Sequence, residues 1–427
     1  MPKPPETARG GAVQLLNAVL IERRLMAEII ASGALQSLQP GDRARAQRLA
    51  VETLRGLERV DRLLSRHLRK TPPDPVRNIL RLAAYELCSG GDPHGVVNAA
   101  VNLVAATKRG GHLKGLANAV LRKVAADGSA AYGELRVPHL PKWLRKPLQA
   151  AYGSPTVAAI EQAHFQTPPV DITVKNPDKL DHWAETLGAK VVLGGSLRLT
   201  SAGQISALPG YESGAWWVQD AAAALPVRLL GDIAGASALD LCAAPGGKTM
   251  QLAAAGAVTR AIDISPTRLS RVEENLRRTQ LQAQLEAQDA LEHGGESYDI
   301  VLLDAPCSAT GTIRRHPDLP YAKDGSDFFE LIELQGRMID HAISLLNPGG
   351  RLVFCTCSLL PDEGECQIEE ALQRHSGLKI DHSALETDIV DSQMKAAPEG
   401  LRLRPDMLSD KGGLDGFFIS ILRWDGQ

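Results

Sequence analysis

Residues 238–249 read ALDLCAAPGGKT, and this stretch is the strongest indication of the fold of the second half of the chain. An apolar run typical of a buried β-strand comes first, and a Pro-Gly-Gly loop then leads into a helical pattern. Gly246 and Gly247 carry no Cβ, so backbone N–H groups there can approach a ligand closely. Since ligands of open α/β sheets bind at the carboxyl ends of the strands, the stretch predicts a ligand loop at that edge.

Strand and helix patterns alternate from Ser237 onward. The five candidate strands are ALDLC, AIDI, IVLLDA, LVFCTCS and FFISIL, and helical patterns separate the first four. This alternation predicts a parallel, doubly wound α/β sheet. Asp263 ends AIDI, 23 residues beyond Asp240. A carboxylate at about this spacing commonly binds ribose hydroxyls, so we expect a nucleoside-cofactor pocket.

A phosphate-binding P-loop is an alternative interpretation of the same stretch. GGKT followed by IVLLD imitates the lysine and the aspartate of nucleoside triphosphatases. That pattern, however, requires Gly where Cys242 stands, and Pro245 removes an N–H group from the loop. A glycine turn that binds nothing is the other alternative. We favour the nucleoside-cofactor pocket over both.

Residues 1–130 read as an all-helical region. Apolar residues recur in steps of three and four between Ala44 and Leu68, and prolines follow at 72, 73 and 75. Three more helical patterns follow, at Val76–Leu87, Val96–Thr107 and Leu113–Val124. Short connections between them predict a compact bundle.

Residues 131–230 mix both patterns and predict a small α+β domain or linker. VDITVKN (170–176) alternates like a strand. VVLGGSLRLT (191–200) reads as a hairpin with Gly194 and Gly195 at its turn.

The charge is distributed unevenly along the chain. Residues 1–130 hold 20 Lys and Arg against 11 Asp and Glu, whereas the rest holds 27 against 39. A basic front region suggests that a polyanion binds there, although solvated helix faces would give the same count.

Several classes of protein are disfavoured. The beginning of the chain lacks the pattern of a secretory signal, and no run of ~20 apolar residues predicts a membrane span. The six cysteines form no pair of CxxC knuckles, so we expect no metal. We expect a cytoplasmic protein with reduced thiols, and the sequence gives no indication of its oligomeric state.

Two cysteines stand directly after candidate strands. LLDAPCSATGT contains Cys307 and FCTCS contains Cys357, so both are expected at the edge that carries the cofactor loop. A free cysteine is usually a small buried hydrophobe, and we assign that role to Cys88 and Cys355. Thiols at strand ends flanked by Pro, Ser and Gly are better candidates for chemistry.

The combination of motifs resembles a known family. CAAPGGKT, DAPCSATGT and TCS together are similar to the RsmB/Sun subfamily of the Nol/Nop/Sun RNA cytosine-5 methyltransferases, as are WVQDAAAALP and DGFFISIL. VVNAAVNLV (96–104) and LANAVLRKV (116–124) resemble the NusB-like RNA-binding bundle. The resemblance implies a NusB-like domain at 1–130, a small α+β domain at 131–230 and a Rossmann-like class I methyltransferase domain at 231–427.

The resemblance also implies roles for individual residues. Cys357 would be the nucleophile that adds to carbon 6 of cytosine, and Cys307 would assist product release. S-adenosylmethionine would be the cofactor and RNA, specifically small-subunit (16S) ribosomal RNA, the substrate. The cofactor-binding set is Cys242, Ala243, Ala244, Pro245, Gly246, Gly247, Lys248, Asp263, Asp289 and Asp304. Asp304 is also our candidate for binding ring nitrogen 3 of the target base.

Arg314, Arg315 and His316 follow the Cys307 loop, and we predict that they contact phosphates, with a solvated basic loop as the alternative. Two other functions remain as alternatives. A DNA cytosine-5 methyltransferase would use the Pro-Cys thiol, here Cys307, as its nucleophile. A ribosome-assembly factor that has lost catalysis would bind RNA without modifying it.

Overall fold

The structure is a computed structural model that describes residues 5–108, 110–200, 203–395 and 397–426. Its α-helices are α1 Ala8–Leu20, α2 Met26–Ala31, α3 Pro40–Arg55, α4 Leu57–Ser65, α5 Asp74–Cys88, α6 Pro93–Ala106, α7 Lys114–Gly133, α8 Lys142–Phe165, α9 Leu180–Leu187, α10 Ala221–Arg228, α11 Gly247–Ala254, α12 Pro266–Thr279, α13 Leu319–Ala322, α14 Phe328–Ser344, α15 Glu365–Arg374 and α16 His382–Leu385. Its strands are β1 Val170–Val174, β2 Ala189–Val192, β3 Ser196–Leu199, β4 Trp216–Val218, β5 Ser237–Asp240, β6 Val258–Asp263, β7 Gln284–Ala287, β8 Tyr298–Asp304, β9 Leu346–Thr356, β10 Leu378–Ile380, β11 Leu401–Leu403 and β12 Phe417–Trp424.

These elements form two compact units. The first, which we call the helical unit, extends to Gln166 and also includes Ile313–Gly325. The second, which we call the sheet unit, consists of Thr167–Thr312 and Ser326–Gln427. The chain therefore leaves the sheet unit after Thr312, contributes α13 to the helical unit, and returns at Ser326.

The helical unit buries one apolar face from each of its longer helices. Leu15, Leu16 and Val19 of α1 are fully buried, and residues of α5 and α7 complete the same core. Such apolar residues at helical spacing explain the bundle, since each helix can remove its stripe from water only against its neighbours. The prediction of an all-helical front region is confirmed.

Two details of the helical unit differ from the prediction. The helix expected over residues 44–68 is two helices, because the chain breaks at Gly56, where a Cβ would lie 2.2 Å from the Tyr132 hydroxyl. The unit also continues past residue 130 through α8. Pro147, Gly153 and Pro155 lie inside that helix, and their helix-breaking character obscured it in the sequence.

The sheet unit begins with a small antiparallel sheet in the order β2-β3-β1-β4. β2 and β3 form the hairpin predicted from VVLGGSLRLT. Gly194 and Gly195 at its turn have φ angles of 61° and 85°, a region that favours glycine. This small sheet lies in the same compact unit as the larger sheet.

The larger sheet has the order β10-β12-β9-β8-β5-β6-β7, with β11 paired to β12. The five strands β9, β8, β5, β6 and β7 are parallel, as predicted for the first four of them. The expectation of an entirely parallel sheet is wrong, because β12 runs antiparallel to β9. FFISIL is buried on both faces, so its continuous apolar pattern does not specify a direction.

Three short strands, β7, β10 and β11, were not predicted. β7 is the edge strand QLEA, whose residues are exposed or half-buried and therefore give no apolar signal. The helices of the described residues include none that is both long enough and apolar enough to cross a lipid bilayer.

Candidate active site

Parallel pairing places the ends of four strands at one edge of the larger sheet. β5 ends at Asp240, β6 at Asp263, β8 at Asp304 and β9 at Thr356. Asp304 lies opposite Cys355 in the β8–β9 ladder. The loops that continue from these ends contain nearly every residue that the sequence singled out, and the edge is therefore the candidate site.

The loop from Cys242 to Lys248 connects β5 to α11. Gly246 has a φ of 99° and precedes the first residue of the helix, and an added Cβ there would lie 2.9 Å from Val272. Glycine is thus required both by the backbone conformation and by the close approach of α12. The loop presents its backbone at the sheet edge, as predicted for a cofactor loop.

Asp263 is buried and tied to this loop. Its Oδ2 accepts a hydrogen bond from the Ala244 amide at 3.2 Å, and its Oδ1 accepts one from the Ser265 amide at 3.0 Å. Arg268 lies 3.5 Å from Oδ2. Asp289 is half-buried and accepts from the Leu291 amide at 3.0 Å. Asp263 is the last residue of β6, and Asp289 lies two residues beyond the end of the neighbouring strand β7.

Asp240 is a site residue that the sequence reasoning did not identify. One of its oxygens accepts from the Thr249 hydroxyl at 2.7 Å, and the other is buried and has no hydrogen-bond partner among the described residues. Burial raises the pKa of Asp240 to about 7. Its position directly before the Cys-Ala-Ala-Pro loop was the available signal.

Lys248 and Asp304 form a short ion pair beside Asp240. The Lys248 Nζ donates to Asp304 Oδ2 at 2.6 Å, and the lysine side chain is only 9% exposed. Burial acts to lower the lysine pKa, but the charge and hydrogen bond of Asp304, together with Cys355 and Asp240, outweigh it and raise that pKa. Asp304 Oδ1 also accepts from the Cys355 thiol at 3.5 Å.

The two predicted catalytic thiols lie next to each other. Cys307 Sγ is 3.4 Å from Cys357 Sγ, and both cysteines are free and half-buried. The hydrogen bond with Cys357, together with burial, raises the pKa of Cys307 well above its usual value. Cys355, in contrast, is fully buried. The expected role of Cys355 as a small buried residue agrees with this position.

The three predicted phosphate contacts differ in exposure. His316 is exposed and Arg315 is half-buried, so both can reach a ligand. Arg314 is 1% exposed, and its carbonyl accepts from Arg55 at 2.6 Å inside the helical unit. The expected phosphate contact of Arg314 is therefore corrected, since a buried guanidinium cannot meet an RNA backbone.

The residues of the edge fit a nucleoside cofactor that carries a positive charge. Asp240 supplies a buried carboxylate oxygen that lacks a partner in the part of the chain that the structure describes, and Asp263 lies at the next strand end. Ile264, which follows Asp263, is a 68% exposed apolar residue that offers a surface for a base ring. Within the described residues, no group of three or more His, Cys, Asp or Glu could hold a metal ion.

Comparison with protein families agrees with both halves of the chain. Residues 229–423 match the family described as 16S rRNA methyltransferase RsmB/F. Residues 6–126 match the NusB family.

Curated relatives extend the similarity over the whole chain. The ribosomal RNA small subunit methyltransferase B of Enterobacter sp. (strain 638) is 36% identical and covers 81% of this chain and 85% of its own length. Its counterpart in Escherichia coli O1:K1 / APEC is 32% identical, covering 98% of this chain and 99% of its own.

Solved structures share the fold. PH0851 superimposes with a TM-score of 0.73 at 21% identity, covering 98% of this chain and all of its own. NSun6 from Pyrococcus horikoshii has a TM-score of 0.56 at 21% identity, covering 67% and 99%. Together with the matched families, the curated relatives show that the chain belongs to the S-adenosylmethionine-dependent ribosomal RNA small subunit methyltransferase B family and carries a NusB family domain at its N-terminal end.

Proposed function

We propose that the protein methylates carbon 5 of a cytosine in 16S ribosomal RNA through a covalent bond between Cys357 and the base. The observation that carries this proposal is the pair of thiols, 3.4 Å apart, at the sheet edge that also holds the cofactor loop. A cytosine-5 transfer needs two groups that act on adjacent ring carbons, one to add and one to remove a proton. Two neighbouring sulfur atoms are suited to that requirement.

The cofactor loop, Asp240, Asp263 and Asp289 are the residues that would hold S-adenosylmethionine. Bound there, this cofactor supplies an electrophilic methyl group. Carbon 5 of cytosine is a poor nucleophile by itself. The protein must therefore make that carbon electron-rich while the base lies beside the cofactor loop.

Cys357 performs this activation in the proposed mechanism. Its thiolate adds to carbon 6, which makes carbon 5 part of an enamine that can accept a methyl group. Asp304 would donate a proton or a hydrogen bond to ring nitrogen 3 as the sulfur adds. Asp304 is the carboxylate of the ion pair, so the proton that it delivers comes from Lys248 Nζ, 2.6 Å away, and the lysine is left neutral.

Cys307 would act after the methyl transfer by taking the proton from carbon 5. In the free protein the hydrogen bond between the two thiols is the largest cause of its raised pKa. That hydrogen bond weakens once the Cys357 sulfur is bonded to carbon, so the Cys307 pKa should fall. Cys307 would then become a better base at the stage when a base is needed, and Cys357 could be expelled.

The NusB family domain is the proposed RNA-binding part. Its sequence carries the excess of basic residues, and Arg122 and Lys123 on α7 are both exposed. Electrostatic attraction to phosphates is the dominant, sequence-independent contribution to binding of nucleic acids. The target cytosine must also leave its stack to reach the thiols.

Bisulfite sequencing of 16S ribosomal RNA from a strain lacking the gene tests the function. One cytosine should become unprotected, and the purified protein with S-adenosylmethionine should restore its methylation. A matched DNA of the same sequence should remain unmodified. Methylation of the DNA alone would favour a DNA methyltransferase, and binding of RNA with no methyl transfer would favour an assembly factor.

A further inference from the structure

The two cysteine loops share a feature that the mechanism above does not use. Cys307 and Cys357 are each followed by a serine, and both serine side chains are buried. Ser308 and Ser358 each donate a hydrogen bond to the same oxygen of Glu363, Oε2, both at 2.5 Å. Glu363 is itself fully buried, so one carboxylate lies beneath the two loops that carry the thiols.

The other oxygen of Glu363 binds the same region. Oε1 accepts from the Ser308 amide at 2.8 Å and from Gln335 Nε2 at 3.1 Å. Gln335 also donates to the carbonyl of Pro306, the residue before Cys307. The Cys307 loop is therefore fixed on both sides of its cysteine by groups that meet at Glu363.

The hydrogen bonds around the carboxylate extend to a third hydroxyl, that of Thr310. The Leu359 amide donates to the Thr310 hydroxyl at 2.9 Å, and that hydroxyl lies 3.2 Å from both serine oxygens. Both serines in turn donate to Glu363. The two oxygens of a carboxylate can accept all four of the hydrogen bonds that Glu363 receives. A buried carboxylate with no cation would be costly, but four hydrogen bonds satisfy this one.

We propose that Glu363 is a positioning residue that fixes the relative position of the Cys307 and Cys357 sulfurs, so that both reach adjacent carbons of one cytosine. This inference builds on the proposed function, because it assigns the thiols their two steps. The relative position of the sulfurs matters because a displacement of about 1 Å at a reacting group can lower the reaction rate roughly a hundredfold. A loop that lost its anchor would separate the sulfurs without leaving the fold.

Bridging of the thiols by dibromobimane tests the proposal directly. This reagent becomes fluorescent only after it has alkylated two nearby thiols, and it needs neither RNA nor cofactor. Cys307→Ala gives the background from the other cysteines. We expect Glu363→Ala to slow bridging roughly tenfold or more, the effect of losing hydrogen bonds to a charged group. The constant for methyl transfer, kcat, should fall as well, while the affinity for S-adenosylmethionine stays unchanged.

Glu363→Gln is the conservative variant, because it keeps the size of the side chain and removes its negative charge. Its amide oxygen can keep the Ser308 amide and Gln335, and its amino group can donate to serine hydroxyls that rotate to accept. Bridging should therefore remain within about threefold of the wild-type rate. Asp171→Ala is the matched control for destabilisation, since Asp171 is equally buried and ion-paired to Arg198 at 2.7 Å on the small sheet.

The outcomes separate this inference from the proposed function. Bridging at the wild-type rate in Glu363→Ala would overturn the positioning role even in a protein that methylates RNA. An equally slow bridging reaction in Asp171→Ala would overturn it too, because any destabilised variant would then disturb the position of the sulfurs. Slow bridging in Glu363→Ala alone would support the role, even if the substrate proved not to be RNA.

Discussion

The sulfur of Cys307 lies 3.4 Å from the sulfur of Cys357, on loops that continue from adjacent parallel strands. Two thiols at one edge are compatible with two mechanisms, in which either Cys307 or Cys357 is the nucleophile and the other is the base. The order of events distinguishes them, since only the nucleophile bonds to the RNA. Variants of the two cysteines should therefore behave differently.

We predict that Cys357→Ala abolishes methylation and forms no covalent complex with RNA. Cys307→Ala should still allow addition and methyl transfer, but the methylated base should stay bonded to Cys357 because the carbon 5 proton is not removed. Denaturing electrophoresis should then show a slowly migrating protein–RNA band that requires S-adenosylmethionine. The double variant is the control and should show no band. A band with Cys357→Ala would reverse the two roles.

Asp263→Ala should weaken S-adenosylmethionine binding by roughly tenfold to a hundredfold, the loss expected for ~1–3 kcal/mol of hydrogen bonding. Calorimetry measures this affinity, and RNA affinity should stay the same. Asp299→Ala is a matched control, because Asp299 accepts from the Ser237 amide at 2.9 Å at the opposite end of the same sheet. Equal cofactor affinity in both variants would remove Asp263 from the site.

Exposed basic residues of the helical unit should determine the salt dependence of RNA binding. Replacing Arg122 and Lys123 by alanine should reduce the slope of log affinity against log salt by roughly 0.7–0.9 for each lost phosphate contact. The exposed Lys179 and Lys190 of the sheet unit form the matched pair whose replacement should leave the slope unchanged. Truncation is a poorer test, because the Met26 amide donates to Asp318 at 2.8 Å and the helical unit needs both chain segments.

The buried Asp240 should make the cofactor-free protein less stable as the pH rises. Its folded pKa of about 7 exceeds the unfolded value, so the unfolded state ionises first and gains stability between about pH 4 and 7. Asp240→Asn cannot ionise and should gain stability relative to the wild type over that interval, at about 1.4 kcal/mol per pKa unit at most. Denaturant unfolding at several pH values measures the difference. A difference that does not vary with pH would contradict a raised pKa.

The sequence predicted the motif-bearing parts of the sheet unit best. The strands that end at Asp240, Asp263 and Asp304 are apolar runs that stop at a polar residue, so both their existence and their shared edge follow from the pattern. The short strands β7 and β10 escaped prediction because their residues are not buried in an alternating way. The direction of β12 could not be predicted, because it depends on its pairing with β9 rather than on its own apolar pattern.

The contacts within the site were less predictable than its members. Cys307 and Cys357 could be assigned from their motifs, but Glu363 stands in an acidic stretch, PDEGE, that reads as a solvated turn. Only the folded chain brings it under both loops. Arg314 shows the opposite error, since a basic residue beside an active-site loop looks exposed until its burial is known.

Residues 313–325 belong to the helical unit although Thr167–Thr312 of the sheet unit precede them in the sequence, and this order affects folding during synthesis. Arg55 binds the Arg314 carbonyl and the Tyr321 hydroxyl binds the Leu54 carbonyl, so this unit is complete only when its late segment is present. That segment leaves the ribosome about 150 residues after Gln166. At a synthesis rate of ~5–20 residues per second, residues 313–325 emerge on the order of ten seconds after Gln166. Translation thus delivers the Cys307 loop before the helical unit can close, and the remaining part of the sheet unit, Ser326–Gln427, follows later still.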